Sequence, residues 1–281
     1  MAVAQATGVI LALAAAVMWG GADFSGGLAS RRTNYLAVLT LSRLSGFVLL
    51  CAMAMVTRES LPPLTSAGWA AAAGLSGALG IAALYKGLAI ERAALVVPTA
   101  GVIGAAMPVL FEAAIHGVLP LWQQAGLVTA LLGIWLVSQG HGPAGSDSSR
   151  GLLLGGVAGL GFGGFFILLG QVGPGVVFAP LAIASCAGLL AAALAVVLSG
   201  TGLPAPTGHP VALLAGVLDA TGVVLFLLAV RWIRLDIAAV LASLYPAITV
   251  LLFWALMQEF VARRQWLGLA ACVVAIALIT V

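Results

Sequence analysis

Hydrophobic positions in this chain run in blocks of about twenty residues, separated by short clusters of charge, Pro, Gly and Ser. Ten blocks are marked in this way, at 7–28, 35–56, 66–88, 94–115, 121–138, 151–170, 176–199, 210–230, 236–257 and 264–281. A membrane-crossing helix needs roughly 17–25 mostly apolar residues, so each block is expected to be one. The strict alternation of a barrel strand, with turn chemistry every ten residues or so, is missing. Helix is also the spanning form that pairs every backbone group within its own segment, where lipid offers no partner. The first block lacks a charged leading region and is too long for a secretory signal, so it is expected to stay in place as helix 1.

Composition narrows the class further. Of 281 residues, 63% are hydrophobic and only 7% charged, against about 25% charged in a soluble domain. A water-exposed surface cannot be built from so few charges, which sets aside a soluble enzyme and a disordered chain. The net charge of +3 is spread without a basic run, so no nucleic-acid partner is expected. Cys51, Cys186 and Cys272 each sit in an apolar block without CxxC spacing and read as packing residues. His116, His141 and His209 fall at or near connections and form no ligand set. Gly159, Gly161 and Gly164 spell GxGxxG, yet no strand precedes them and no acid follows at the distance a dinucleotide site requires. Glycines at this density instead allow close helix approach. With no HExxH, P-loop or nucleophile–base pattern, neither an enzymatic activity nor a cofactor or metal is expected.

The most polar stretch, 139–150, divides the chain into a first half, 1–138, and a second, 151–281. Sliding one half over the other by 142 residues aligns Gly46 with Gly188, Pro62 with Pro204 and Gly74 with Gly216. The same offset aligns Gly80 with Gly222, Gln123 with Gln265 and Gly126 with Gly268. A single ungapped offset over most of each half points to a duplication. Five helices is an odd number, so the second copy enters from the opposite face and the repeats are inverted, an arrangement typical of alternating-access carriers. The expected fold is therefore an all-α integral membrane protein of ten transmembrane helices, two inverted five-helix repeats around a central cavity.

The second half carries Leu228-Ala229-Val230, Tyr245-Pro246, Gln258-Glu259 and Gln265-Trp266-Leu267-Gly268, and helix 1 carries Trp19-Gly20. Together these resemble the drug/metabolite transporter superfamily, specifically its ten-helix EamA-like members, over essentially the whole chain. The first half departs from the pattern: Gly104 stands where Pro246 stands, and Gly117 where Glu259 stands. The resemblance implies a secondary transporter that exports amino acids or other small metabolites. It implies a cavity lined by helices 1–4 and 6–9, with helices 5 and 10 outside.

An ionisable side chain within a span costs roughly 2.5–3.5 kcal/mol on insertion scales and normally faces a cavity or a partner. Asp23, Arg43, Glu112 and Asp219 are so placed. The odd-numbered connections lie on one face. At 1.5 Å per residue, Asp23 is roughly 8 Å below that face, Arg43 roughly 12 Å, Asp219 roughly 14 Å and Glu112 roughly 27 Å. The first three can share a level. Arg43 is a candidate for holding a substrate carboxylate, with Asp219 or Asp23 exchanging protons; the alternative is a permanent ion pair that fixes helices 1, 2 and 8. Glu112 is a candidate proton carrier or a headgroup contact. Trp19, Tyr85 and Tyr245 lie on helices that line the cavity if the family fold holds, and suit apolar or cationic solutes; the plain alternative is packing or the interfacial belt. Trp69, Trp122, Trp232 and Trp266 read as belt residues, and Lys86 as a snorkelling cation. Pro98, Pro108 and Pro246 are expected bending points.

Seven Lys and Arg residues near the odd-numbered connections against three near the even ones place the odd connections in the cytoplasm and the termini outside. The family resemblance implies the reverse. The partners expected are a small-molecule substrate, membrane lipid and a coupling proton, in a multi-pass protein of a cell membrane, the bacterial inner membrane. The competing readings are an exchanger of phosphorylated sugars or nucleotide-sugars, which calls for several cavity cations, and a non-transporting membrane scaffold.

Overall fold

A computed structural model describes residues 2–31, 33–90, 93–138, 148–200, 202 and 208–280. All regular structure among them is helical: α1 (Ala2–Ser30), α2 (Tyr35–Val56), α3 (Leu64–Ile90), α4 (Ala93–His116), α5 (Leu121–Ser138), α6 (Ser148–Gly170), α7 (Phe178–Ser199), α8 (Pro210–Ala229), α9 (Leu235–Ala242), α10 (Tyr245–Met257) and α11 (Arg263–Thr280). Nine spans among the described residues are long and apolar enough to cross a membrane: α1 to α8, and α9 with α10 taken together. The tenth long helix, α11, lies against α5. Most of the polar stretch at 139–150, with His141, falls outside the described residues, as do Pro204 and the side chain of Tyr85.

The ninth block, expected as one helix over 236–257, is divided into α9 and α10. Pro246 has no N–H for the carbonyl of Ala242. The Leu244 and Ala247 N–H groups turn to the carbonyls three residues back, Leu241 and Leu244, and the helix tightens and breaks there. The other two prolines act differently. α4 runs without interruption past Pro98 and Pro108.

Packing orders the helices into a ring: α1 lies on α8, α8 on α2, α2 on α7, α7 on α3, α3 on α6, α6 on α4, and α4 on α9, with α9 and α10 returning to α1. α5 and α11 pair outside it. The outer surface is apolar, with Val48, Leu110, Leu194 and Val273 exposed to what must be lipid.

The ring has an internal two-fold relation that can be read residue by residue. Gly74 of α3 sits against the backbone of Ala184 in α7, and Gly216 of α8 against the backbone of Ser42 in α2; each partner is 142 residues from the other. Gly46 faces the Gly216 carbonyl, as Gly188 faces that of Gly74. The Gln123 side-chain amide donates to the Ile279 carbonyl at 3.3 Å, and the Gln265 amide to the Val137 carbonyl at 3.1 Å. Gly126 and Gly268 seat the same two helices at Ile279 and Val137. The offset found in the sequence is thus an offset between real contacts. Small residues let the backbones meet at these crossings, since lipid supplies no hydrophobic drive between helices.

Candidate functional site

At 100° per residue, Ala12, Ala16, Trp19 and Asp23 share one face of α1, within about 40° of a common line. This face points into the ring, because Trp19 meets Phe165 and Phe166 of α6, Phe226 of α8 and Tyr245 of α10 at centroid distances of 5.7 to 6.5 Å. Ala12 is 0% exposed, Ala16 2% and Trp19 8%. Asp23, one turn further toward the odd-numbered connections, is exposed. α8 repeats the trend on its inward face: Phe226 is fully buried, while the Asp219 side chain is 33% exposed. On these two faces the buried residues therefore run from the aromatic layer toward the even-numbered face, and the accessible ones, Asp23 and Asp219, stand above that layer. The layer depends on Gly222, where any side chain would strike the Trp19 indole.

Three ionisable groups stand just above this floor. Arg43 Nη1 lies 2.8 Å from Asp219 Oδ2, joining α2 to α8. Trp19 Nε1–H donates to the Asp219 carbonyl at 3.2 Å. Asp23 lies in the field of both Asp219 and Arg43, and Tyr245 in the field of Asp23. Of the three residues that the depth argument put at one level, Arg43 and Asp219 are in direct contact, and Asp23 is within electrostatic reach of both. With two carboxylates against one guanidinium, the formal charge of the cluster is −1 when all are ionised. Trp19 and Tyr245 belong to the floor: Trp19 is mainly a packing residue, with its polar edge committed to Asp219. The Tyr85 side chain lies outside the described residues, so its part in the cluster stays an expectation.

Glu112 is elsewhere. It lies near the even-numbered face and is buried, its Oε2 hydrogen-bonded at 2.6 Å with His116 Nδ1 one turn along α4. Arg234, in the connection before α9, approaches the same carboxylate at 3.9 Å. It forks onto Asp236, Nε to Oδ1 at 3.2 Å and Nη2 to Oδ2 at 3.0 Å, and also donates to the Gly117 carbonyl at 3.0 Å. The hydrogen bonds to Asp236 hold the Arg234 guanidinium above its ordinary pKa, against the opposing effect of burial. Asp236 is 1% exposed and also accepts the Ile237 N–H at 2.8 Å. Sequence reasoning passed over Asp236 because it stands at a span boundary, where an acid costs little. The signal that marks it is the arginine two residues before it. Among the described residues no group of three metal-binding side chains forms.

The sequence profile of the EamA-like transporter family matches residues 6–139 and again 149–281. The chain belongs to the EamA-like transporter family. It is accordingly a multi-pass membrane protein of a transporter family and not an enzyme, and the duplicated match accords with the inverted repeats traced above. A solved crystal structure, described only as that of a protein, superposes with a TM-score of 0.78 at 16% identity, covering 97% of this chain and 96% of the other. That likeness is one of fold. No curated protein matches the chain.

Proposed function

We propose that this member of the family is a secondary transporter that carries amino acids or other small metabolites by alternating access, with the Asp23–Arg43–Asp219 cluster as its binding site. The observation that carries the reading is the inward face of α1, buried from Ala12 to Trp19 and exposed at Asp23, beside an ion pair that offers one spare carboxylate. A zwitterion suits this site: its carboxylate competes with Asp219 for Arg43, and its ammonium group satisfies Asp23. A proton suits Asp23 when the solute has left, which supplies a coupling route. The net negative cluster disfavours phosphorylated sugars, which need a surplus of cations. An inert scaffold has no use for an exposed carboxylate at this depth. On this reading the repeats are 1–138 and 151–281, joined by 139–150, and the membrane is a cell membrane, the bacterial inner membrane.

The test is a panel of labelled amino acids, amines and sugars in proteoliposomes. Uptake or exchange of zwitterions or amines that is lost in Arg43→Gln and Asp23→Asn supports the proposal. Transport unaffected by both substitutions removes the cluster from the binding site.

A further inference from the structure

The even-numbered face carries a second polar cluster that the binding site does not use. Its centre is Arg234. This one side chain bonds both oxygens of Asp236 at the start of α9, the carbonyl of Gly117 at the end of α4, and the field of Glu112 within α4. α4 belongs to the first repeat and α9 to the second, and the two helices pack directly. A depression of about 740 Å³, lined among others by Glu112, His116, Trp232 and Arg234, lies over the cluster on the outer surface of this face.

The two-fold relation adds an independent observation. Under the 142-residue offset, Asp236 corresponds to Ala94, and Glu112 to Trp254. The odd-numbered face therefore lacks the two carboxylates that hold Arg234 at the even-numbered face. On the inward faces of α1 and α8, Ala12, Ala16, Trp19 and Phe226 are buried toward the end that has them, while the other end carries the half-exposed pair Arg31–Glu259 at 2.6 Å.

We propose that Arg234 pins the even-numbered face shut by tying α4 to α9, and that its contacts across that seam break when the interior opens there. The proposal rests on the alternating-access reading, but its test does not depend on finding the solute. Removing the guanidinium leaves the Asp236 charge buried without a counter-charge, held by the Ile237 N–H alone, in the closed form only, because opening brings it water. The loss therefore acts on the balance between states and not merely on folding.

The experiment replaces Cys51, Cys186 and Cys272 by Ala and introduces Ala16→Cys, just beneath the aromatic floor. A membrane-impermeant methanethiosulfonate reagent is applied to each side of sealed vesicles, with Arg58→Cys marking the even-numbered side. In Arg234→Gln, labelling of the reporter from the even-numbered side is expected to rise about tenfold or more, with no rise from the other side. Arg234→Lys should give a smaller rise, about threefold, since an ammonium group cannot fork onto both Asp236 oxygens. Unchanged labelling, or an equal rise from both sides, overturns the proposal. Should Arg234→Gln fail to reach the membrane folded, Arg234→Lys labelling at the parent rate overturns it alone. One-sided labelling in a protein that carries no solute supports the pin and removes the transport reading. Solute transport with unchanged labelling removes the pin alone.

Discussion

Gly74 and Gly216 occupy equivalent seats 142 residues apart, each with its Cα against a backbone carbonyl of a helix from the other repeat, Ala184 for the first and Ser42 for the second. A methyl group at either position would land on that carbonyl oxygen, so α3 would have to leave α7, or α8 leave α2. Each of Gly74→Ala and Gly216→Ala is expected to cost about 2–3 kcal/mol or to prevent folding. Gly68 and Gly156 have open space where a Cβ would stand. Their Ala variants are expected to be neutral, or more stable by up to about 1 kcal/mol. Thermal unfolding in detergent separates the two classes. Similar behaviour in all four variants would remove the close crossings as the basis of the repeat.

This symmetry was legible in the sequence because it rests on identities that any half-to-half alignment exposes: Gly46 and Gly188, Gly74 and Gly216, Gln123 and Gln265. The Arg43–Asp219 contact was legible for another reason. Asp23, Arg43 and Asp219 are so costly in lipid that their depth alone predicts a shared level. The aromatic floor was not legible. Trp19 and Tyr245 were marked, but Phe165, Phe166 and Phe226 are ordinary apolar residues whose convergence depends on helix rotation, which an amphipathic period does not reveal in helices that are apolar all round. Asp236 was missed because position along a span, not identity, made it look solvated. Its burial comes from α9 being enclosed on every side.

The Arg43–Asp219 pair distinguishes a clamp from a binding site. Its side chains are 23% and 33% exposed, so hydration weakens it, and a double-mutant cycle of Arg43→Gln and Asp219→Asn is expected to return about 1–2 kcal/mol of coupling. The charge-swapped protein, Arg43→Asp with Asp219→Arg, should recover most of that stability. If the pair also binds substrate, transport stays lost, because the guanidinium now stands on α8 and its distance to Asp23 has changed. Recovery of transport together with stability would assign the pair to the clamp.

Gly222 gives a separate handle on the floor. A Cβ at this position would come 2.6 Å from the Trp19 indole, so Gly222→Ala must push the ring off α8 and break its bond to the Asp219 carbonyl. The expected outcome is transport reduced about tenfold or more with stability lowered by about 1–3 kcal/mol. Gly222→Ala paired with Trp19→Phe removes the Nε1–H donor and some bulk, and should recover stability more than activity. Equal recovery of both would make the indole a filler only.

Glu59 tests how the even-numbered face is held apart from Arg234. α7 is preceded at its N-cap by Val177, which offers no side-chain cap of its own. Glu59, from the connection between α2 and α3, supplies one: Oε1 accepts the Val177 N–H and Oε2 the Ala179 N–H, each at 2.8 Å. A carboxylate here satisfies two donors that the first turn leaves unpaired, and its charge complements the positive end of the helix dipole. Glu59→Ala is expected to lower stability by about 1–2 kcal/mol, and Glu59→Gln, which keeps one acceptor oxygen, by about half as much. Amide exchange at Val177 and Ala179 should accelerate in both, in the same order. Because the contact joins α2 to α7 and leaves the α4–α9 seam untouched, reporter labelling at Ala16→Cys should not change in Glu59→Gln. A rise there matching that of Arg234→Gln would mean that this face opens as one body and not along a single seam.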